Sequence, residues 1–496
     1  MFEIILRWGL PILFLAVFLL CAWANLNNIF EFTRDMRERR IPVGSRVSPV
    51  MYIGGIAGAI AFALWPEPDL KWFLWLPFLI DFPGTMGIGR GGQHVEPDTR
   101  TEEERARYEE VARIEHARTE ERAEIEREER EKRVRELERA LVGCLLGTAV
   151  GDALGLACEG LSPARRKKLF PDTARYNLLP FGRGMCSDDT EHTLMLAQSL
   201  LESAEHAEDE AQARAVMSAF AWRLRFWLLG LPAGIGLATL RAILKLWLFI
   251  PPRWSGVNSA GNGPSMRSAL LGIAYAKRPE RLRAMVRAAT RITHTDPKAE
   301  QAAWTVAHAA GHCAAFLGQV TAAGFLSECR AGLGPEAVEW LALVERVAAS
   351  VERGETTPGF ATALGLANGV TGYSFHTVPV ALHAWLSHPA DYRGAVLAAI
   401  ECGGDTDTVA AITGAIAGAG TGKGGIPPPW LDRLVEWPRT PAWMERLGEL
   451  LAKRAAAQAP YLGPAPVAGA GKLFLRNVFF LGVVLAHGFR RLLPPY

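Results

Sequence analysis

The chain has 496 residues, 49% of them hydrophobic, and a formal net charge of +2. That length and apolar content can bury a large core spread over two or three domains, while the nearly balanced charge excludes a protein that grips nucleic acid through a domain-wide basic surface. The seven cysteines lie scattered without C-x-x-C spacing, so neither a disulfide framework nor a zinc site is expected, and the soluble part reads as reducing and cytosolic.

Residues 1–90 read as a membrane region. Residues 4–23, IILRWGLPILFLAVFLLCAW, are long enough to cross a bilayer. A cleaved signal peptide is disfavoured, because Arg7 is a thin basic head and no small-x-small cleavage pattern follows. Two shorter apolar segments, 50–65 and 70–82, hinge at Pro66 to Asp69 and suit a tilted hairpin or re-entrant pair, with Trp65, Trp72 and Trp75 as interfacial anchors. Arg34, Arg37, Arg39, Arg40 and Arg46 between the first two segments face the cytoplasm by the positive-inside rule, which puts everything after three crossings there too. The competing reading is a buried, hydrophobic soluble domain. Residues 91–139 follow as a charged helical linker in which Glu and Arg recur three and four apart without an apolar heptad seam. A stiff single helix fits better than a coiled coil, with dimerisation left open.

Residues 140–455 change to Ala/Gly/Leu-rich helical segments with few alternating β-branched runs, so the fold class is all-α. In LVGCLLGTAVGDALGLACEG, Gly143, Gly147, Gly151 and Gly155 repeat every four residues and give one helix face that a second helix can approach closely. A membrane helix is a poor reading of that stripe because Asp152 and Glu159 interrupt it. Ser187, Asp188 and Asp189 in GRGMCSDDTEHT gather hard oxygen donors at a helix entrance, and Asp405, Asp407 and Thr408 in ECGGDTDTVAAITGAIAGAG do the same. A helix cap accounts for one carboxylate in each cluster and leaves the second unexplained; if the clusters meet, they can hold two divalent cations. Between them, SAGNGPSMRSALLG offers a Gly/Asn loop with Asn262, Gly263 and Arg267, and RITHTDP places His294 before a Pro turn, in either a structural or a ligand-positioning role.

GDALGLACEG, SDDTEHT, SAGNGPSMR, THTDP and GGDTDTVAAITGAIAGA occur in the order in which the ADP-ribosylglycohydrolase family carries its motifs, and residues from about 140 to 450 resemble that family. The resemblance implies a compact all-α domain with a cleft for two divalent metal ions, Mg2+ or Mn2+. Ser187, Asp188, Asp189, Asp405, Asp407 and Thr408 match the metal shell, with Asp188 and Asp407 also placed at the chemistry. Glu159 matches the acid that steers the catalytic water or assists proton transfer, and Asn262, Gly263 and His294 fall where the family lines its ADP-ribose cleft. It further implies hydrolysis of the bond joining ADP-ribose to an acceptor on a protein side chain or small molecule; the small net charge, by itself, leaves no specific nucleic-acid partner expected. It also turns residues 224–250, which hydropathy alone allows as a span, into core helices with a face that would suit a membrane surface. The alternatives are a non-catalytic, membrane-anchored ADP-ribose binder or structural protein of the same fold, and a metal phosphohydrolase acting on a nucleotide. The tail, 456–496, lies outside the resemblance, and its short apolar core flanked by Arg476, Arg490 and Arg491 suits an interfacial amphipathic helix.

Overall fold

The computed structural model describes residues 101–457, 460–491 and 494. The expected membrane segments within 1–90 lie outside the described residues. Among the described residues the protein is all-α, with isolated β-bridges and no strand. Contacts divide the chain at Ile114; the unit from Glu115 to Tyr496 contains the core and every site residue discussed below.

The helices that position the site are α1 (Glu102–Gly155), α2 (Asp188–Glu202), α3 (Asp209–Leu229), α4 (Leu237–Trp247), α5 (Pro297–Ala315), α6 (Ser374–Ser387), α7 (Tyr392–Glu401), α8 (Thr406–Thr421) and α9 (Ala470–Arg491). The charged segment and the glycine stripe share α1, so the expected linker boundary at 139/140 falls inside one continuous helix. Its N-terminal part is exposed and carries ion pairs three and four residues apart, such as Arg127–Glu131. From Ala140 onward the same helix is buried, because the sequence there replaces Glu and Arg by Ala, Leu and Gly.

Helix α8 is the centre of the unit. Every residue from Thr406 to Gly420 is buried, and α5, α6 and α7 pack around it. Its small side chains let α1 lie directly on it in the antiparallel sense. A methyl group on Gly143, Gly147, Gly151 or Gly155 would fall 2.1, 2.2, 2.1 or 2.3 Å from the carbonyl oxygen of Gly418, Gly414, Ala410 or Thr406. Only glycine fits such contacts between backbones, so the stripe fixes both the separation and the register of the two helices.

The segment 224–250 divides its apolar side chains. Leu224, Trp227, Ile243 and Leu246 are buried on α3 and α4, whereas Phe226, Leu229, Leu231, Leu237 and Phe249 are exposed. Two described helices are long and apolar enough to cross a membrane: the stretch of α1 that forms the core, whose apolar window is wholly buried, and α9, whose window is mostly exposed. Helix α9 docks on the other helices of this unit. Arg476 is paired with Glu191 and Glu436, 3.2 and 2.8 Å away, Asn477 donates to the Gly230 carbonyl, and His487 Nε2 lies 2.9 Å from the Ala157 carbonyl oxygen.

Candidate active site

The glycine contacts set where the acids meet. With α1 running against α8, Asp152 comes to lie beside Asp407, and the turn that starts α2 adds Asp189. One carboxylate oxygen from each of these three buried residues lies within 4.8 Å of the others. Asp152 was not among the expected site residues. Its sequence signal was an acid in the middle of a glycine-striped, otherwise apolar helix, where burial without a partner is costly.

Asp152 organises the acidic turn that starts α2. Its carboxylate accepts from the Ser187 N–H at 2.9 Å, the Thr190 N–H at 3.2 Å and the Thr190 hydroxyl at 2.5 Å. Those bonds hold the Ser187–Thr190 turn against α1. Ser187 caps α2 by accepting from the Asp189 N–H, which points Asp188 and Asp189 out of the first turn. Asp188 is half-buried and Asp189 fully so. The Asp189 Oδ2 accepts from the hydroxyls of Ser187 and Thr408, each at 3.2 Å, and so joins the two acidic clusters directly.

At the head of α8, Asp405 occupies the cap position, yet its side chain makes no cap bond. It accepts instead from the Asn262 amide at 2.6 Å, and the same amide reaches the Thr377 hydroxyl at 3.0 Å. Thr406 donates to the Gly155 carbonyl at 2.8 Å, which locks the end of α1 to the start of α8. Gly403 and Gly404 both have positive φ, and a methyl on Gly404 would sit 2.0 Å from the Val370 carbonyl oxygen. The Gly pair therefore turns the chain sharply enough to aim Asp405 and Asp407 into one cleft.

Burial and mutual repulsion raise the acids together. Burial first, then Glu159 and Asp405, holds Asp407 well above the usual carboxylate range. Asp189 is raised by burial and then Asp188, Asp188 by burial and then Asp152, and Asp152 by burial to about 7. Two of these oxygens, Asp189 Oδ1 and Asp407 Oδ1, are buried without a hydrogen-bond partner. Several mutually close carboxylates with unpartnered oxygens and neighbouring hydroxyls form a donor set that fits a hard divalent cation.

Glu159 follows a short turn at the end of α1, with its side chain exposed at the rim. Desolvation by the surrounding protein, followed by Asp405, raises it, and Arg491 of α9 opposes that rise. Arg491 also donates to the Glu159 carbonyl, while Arg476 donates to the Cys186 carbonyl at 2.6 Å, one residue before Ser187. A helix outside the matched motifs thus touches both edges of the acidic site, a role that the sequence of the tail did not indicate.

The Gly/Asn loop meets the head of α8 through the Asn262 amide. His294 is buried beneath it, with a methyl on Gly261 or Gly263 falling 3.0 or 3.1 Å from its ring. Its Nδ1 lies 2.9 Å from the Thr293 hydroxyl, and burial, then Arg267, lowers it to about 3, so the ring is neutral at physiological pH. Arg267 is fully buried and donates to the Gly263 carbonyl at 2.9 Å and the Thr293 hydroxyl at 2.7 Å. The loop, the imidazole and the guanidinium make one rigid support.

A family model described as ADP-ribosylglycohydrolase matches residues 133–460. An uncharacterized protein of Archaeoglobus fulgidus is 31% identical over 303 residues, covering 60% of this chain and 92% of the relative. The ADP-ribosyl-(dinitrogen reductase) glycohydrolase of Rhodospirillum rubrum is 27% identical over 303 residues, covering 60% and 90%. The ADP-ribosylhydrolase ARH3 of Gallus gallus is 24% identical over 355 residues, covering 62% and 92%.

Proposed function

The chain belongs to the ADP-ribosylglycohydrolase family, and from that membership we propose that it is a metal-dependent hydrolase of the glycosidic bond between ADP-ribose and an acceptor, held at the membrane through residues 1–90. The observation that carries the reading is the buried group Asp152, Asp189 and Asp407, with two unpartnered oxygens, at the crossing of α1 and α8. The donors fit two divalent ions, Mg2+ or Mn2+, held by Ser187, Asp188, Asp189, Asp405, Asp407 and Thr408. When bound, such ions supply the positive charge that offsets these acids and fixes hydroxyl-rich substrates.

Cleavage of a ribosyl bond develops oxocarbenium character at the anomeric carbon and needs a positioned water with a proton acceptor. Glu159 is the carboxylate assigned to that water. Its place at the open rim gives it access to solvent, and desolvation of its carboxylate followed by the nearby Asp405 raises its proton affinity, which favours accepting a proton from that water. Asp152 acts from behind, through the Ser187–Thr190 turn that it holds. Asn262 fixes Asp405 and presents the Gly/Asn loop to the ADP-ribose, and His294 with Gly263 keeps that loop rigid rather than titrating. Acceptor choice belongs to the loops around this cleft.

The test is release of ADP-ribose from ADP-ribosyl-arginine and ADP-ribosyl-serine peptides by the full chain, with Mg2+, with Mn2+ and with chelator, beside Asp407→Ala. Metal-dependent release that the variant lacks is expected. Binding of ADP-ribose without release on any acceptor would move the chain to the non-catalytic reading, and release of phosphate or AMP would move it to the phosphohydrolase one.

A further inference from the structure

Helix α9 buries the apolar Phe480, 2% exposed, together with three polar side chains, and leaves most of its other apolar residues outward. Its polar residues Arg476, Asn477 and His487 are only 3%, 3% and 7% exposed, while its apolar residues Leu475, Phe479, Leu485 and Phe489 are 62%, 58%, 56% and 69% exposed. An amphipathic helix resting on a soluble domain has the opposite polarity, with the apolar stripe inward and charge toward water. Here the inward face is anchored by ion pairs and hydrogen bonds to Glu191, Glu436 and backbone carbonyls. The outward face therefore needs an apolar neighbour. The same surface continues onto the turn after α3, because Asn477 is bonded to the Gly230 carbonyl and the flanking Leu229 and Leu231 are 58% and 51% exposed.

Charge selects the neighbour. The 22 residues of α9 contain no acid; Arg491 turns to the Glu159 carbonyl, and the exposed basic residues are Lys472 near the start and Arg490 at the end. Exposed cations at both ends of an apolar face about 25 Å long suit a helix lying flat in the interface, its ends against anionic headgroups and its apolar side toward the acyl layer. A second copy laid on this face, in either sense, would bring basic ends against basic ends. We propose that the outward face of α9, together with the Leu229–Leu231 turn, lies in the headgroup–acyl boundary of an anionic bilayer. The inference rests on the membrane tether proposed above to bring the bilayer near; the tether supplies a first attachment and α9 a second, which sets orientation. Because α9 also bonds the Ala157, Glu159 and Cys186 carbonyls, docking it fixes the direction in which the acidic cleft opens.

The experiment uses the full chain reconstituted into phosphatidylcholine vesicles containing about one third phosphatidylglycerol, with benzoylphenylalanine in place of Phe479 or of Phe489, and at Val338, 70% exposed on a different helix, as reference. After flotation and illumination, lipid adducts at 479 and 489 about tenfold above those at 338 are expected. A crosslinked dimer, an adduct to a peptide from residues 1–100, or flotation without lipid adduct would overturn the docking while leaving the tether intact. Failure to float would overturn tether and docking together.

Discussion

Replacing Gly155 by alanine tests whether the glycine stripe sets the position of the buried acids Asp152, Asp189 and Asp407. The added methyl would lie 2.3 Å from the Thr406 carbonyl oxygen and 2.6 Å from the Asp407 Cα. An ordinary C···O contact is about 3.3 Å, so α1 and α8 must part locally by about 1 Å. Both neighbours are backbone atoms and cannot rotate aside. Overpacking of this kind costs about 1–3 kcal/mol, and a displacement of about 1 Å at a catalytic constellation costs about a hundredfold in rate. Gly143→Ala is the matched reference. Its methyl would meet the Gly418 carbonyl oxygen at 2.1 Å and the Gly422 Cα at 2.7 Å, about 18 Å farther along α1. Scanning calorimetry of the purified full chain should show both variants destabilised by similar amounts. Steady-state ADP-ribose release should show kcat lost in Gly155→Ala and kept within a few-fold in Gly143→Ala. Wild-type stability in Gly155→Ala, or equal loss of kcat in both variants, would refute the argument.

Asp407→Asn removes one of the mutually repelling acids, so in chelator it should melt at or above the wild-type temperature, while the gain on adding Mg2+ or Mn2+, about 2.7 kcal/mol for the wild type at a hundredfold excess over Kd, should vanish. Because Asp152 is raised to about 7 in the folded protein, the native state holds a proton that the unfolded chain releases near pH 4. Stability without metal should therefore fall as pH rises from about 4 to about 7, and urea midpoints in chelator check the sign. Arg476→Met leaves Glu191 and Glu436 buried without their cation, which should cost about 3–5 kcal/mol and free α9 for limited proteolysis. Adding Glu436→Gln should restore part of that loss.

The composition of the tail suggested an interfacial amphipathic helix, and α9 does span those residues, but periodicity alone does not say which face meets protein. Arg476 turns inward because Glu191 and Glu436, from distant parts of the chain, are there to receive it. Likewise Glu159 stood out as the acid closing its motif, while Asp152, whose hydrogen bonds hold the second cluster in place, did not.

The sequence by itself determined the all-α class, the two acid clusters at helix starts and the glycine face of α1, because caps, small-residue spacing and the absence of strand patterns are local properties of the chain. Only the tertiary structure decided that Asp152, Asp189 and Asp407 share one buried site, that His294 supports the Gly/Asn loop from beneath, and that α9 faces outward with its apolar side. Those are relations between segments far apart in sequence, fixed by backbone contact between α1 and α8 and by buried charge pairs rather than by any pattern within one segment.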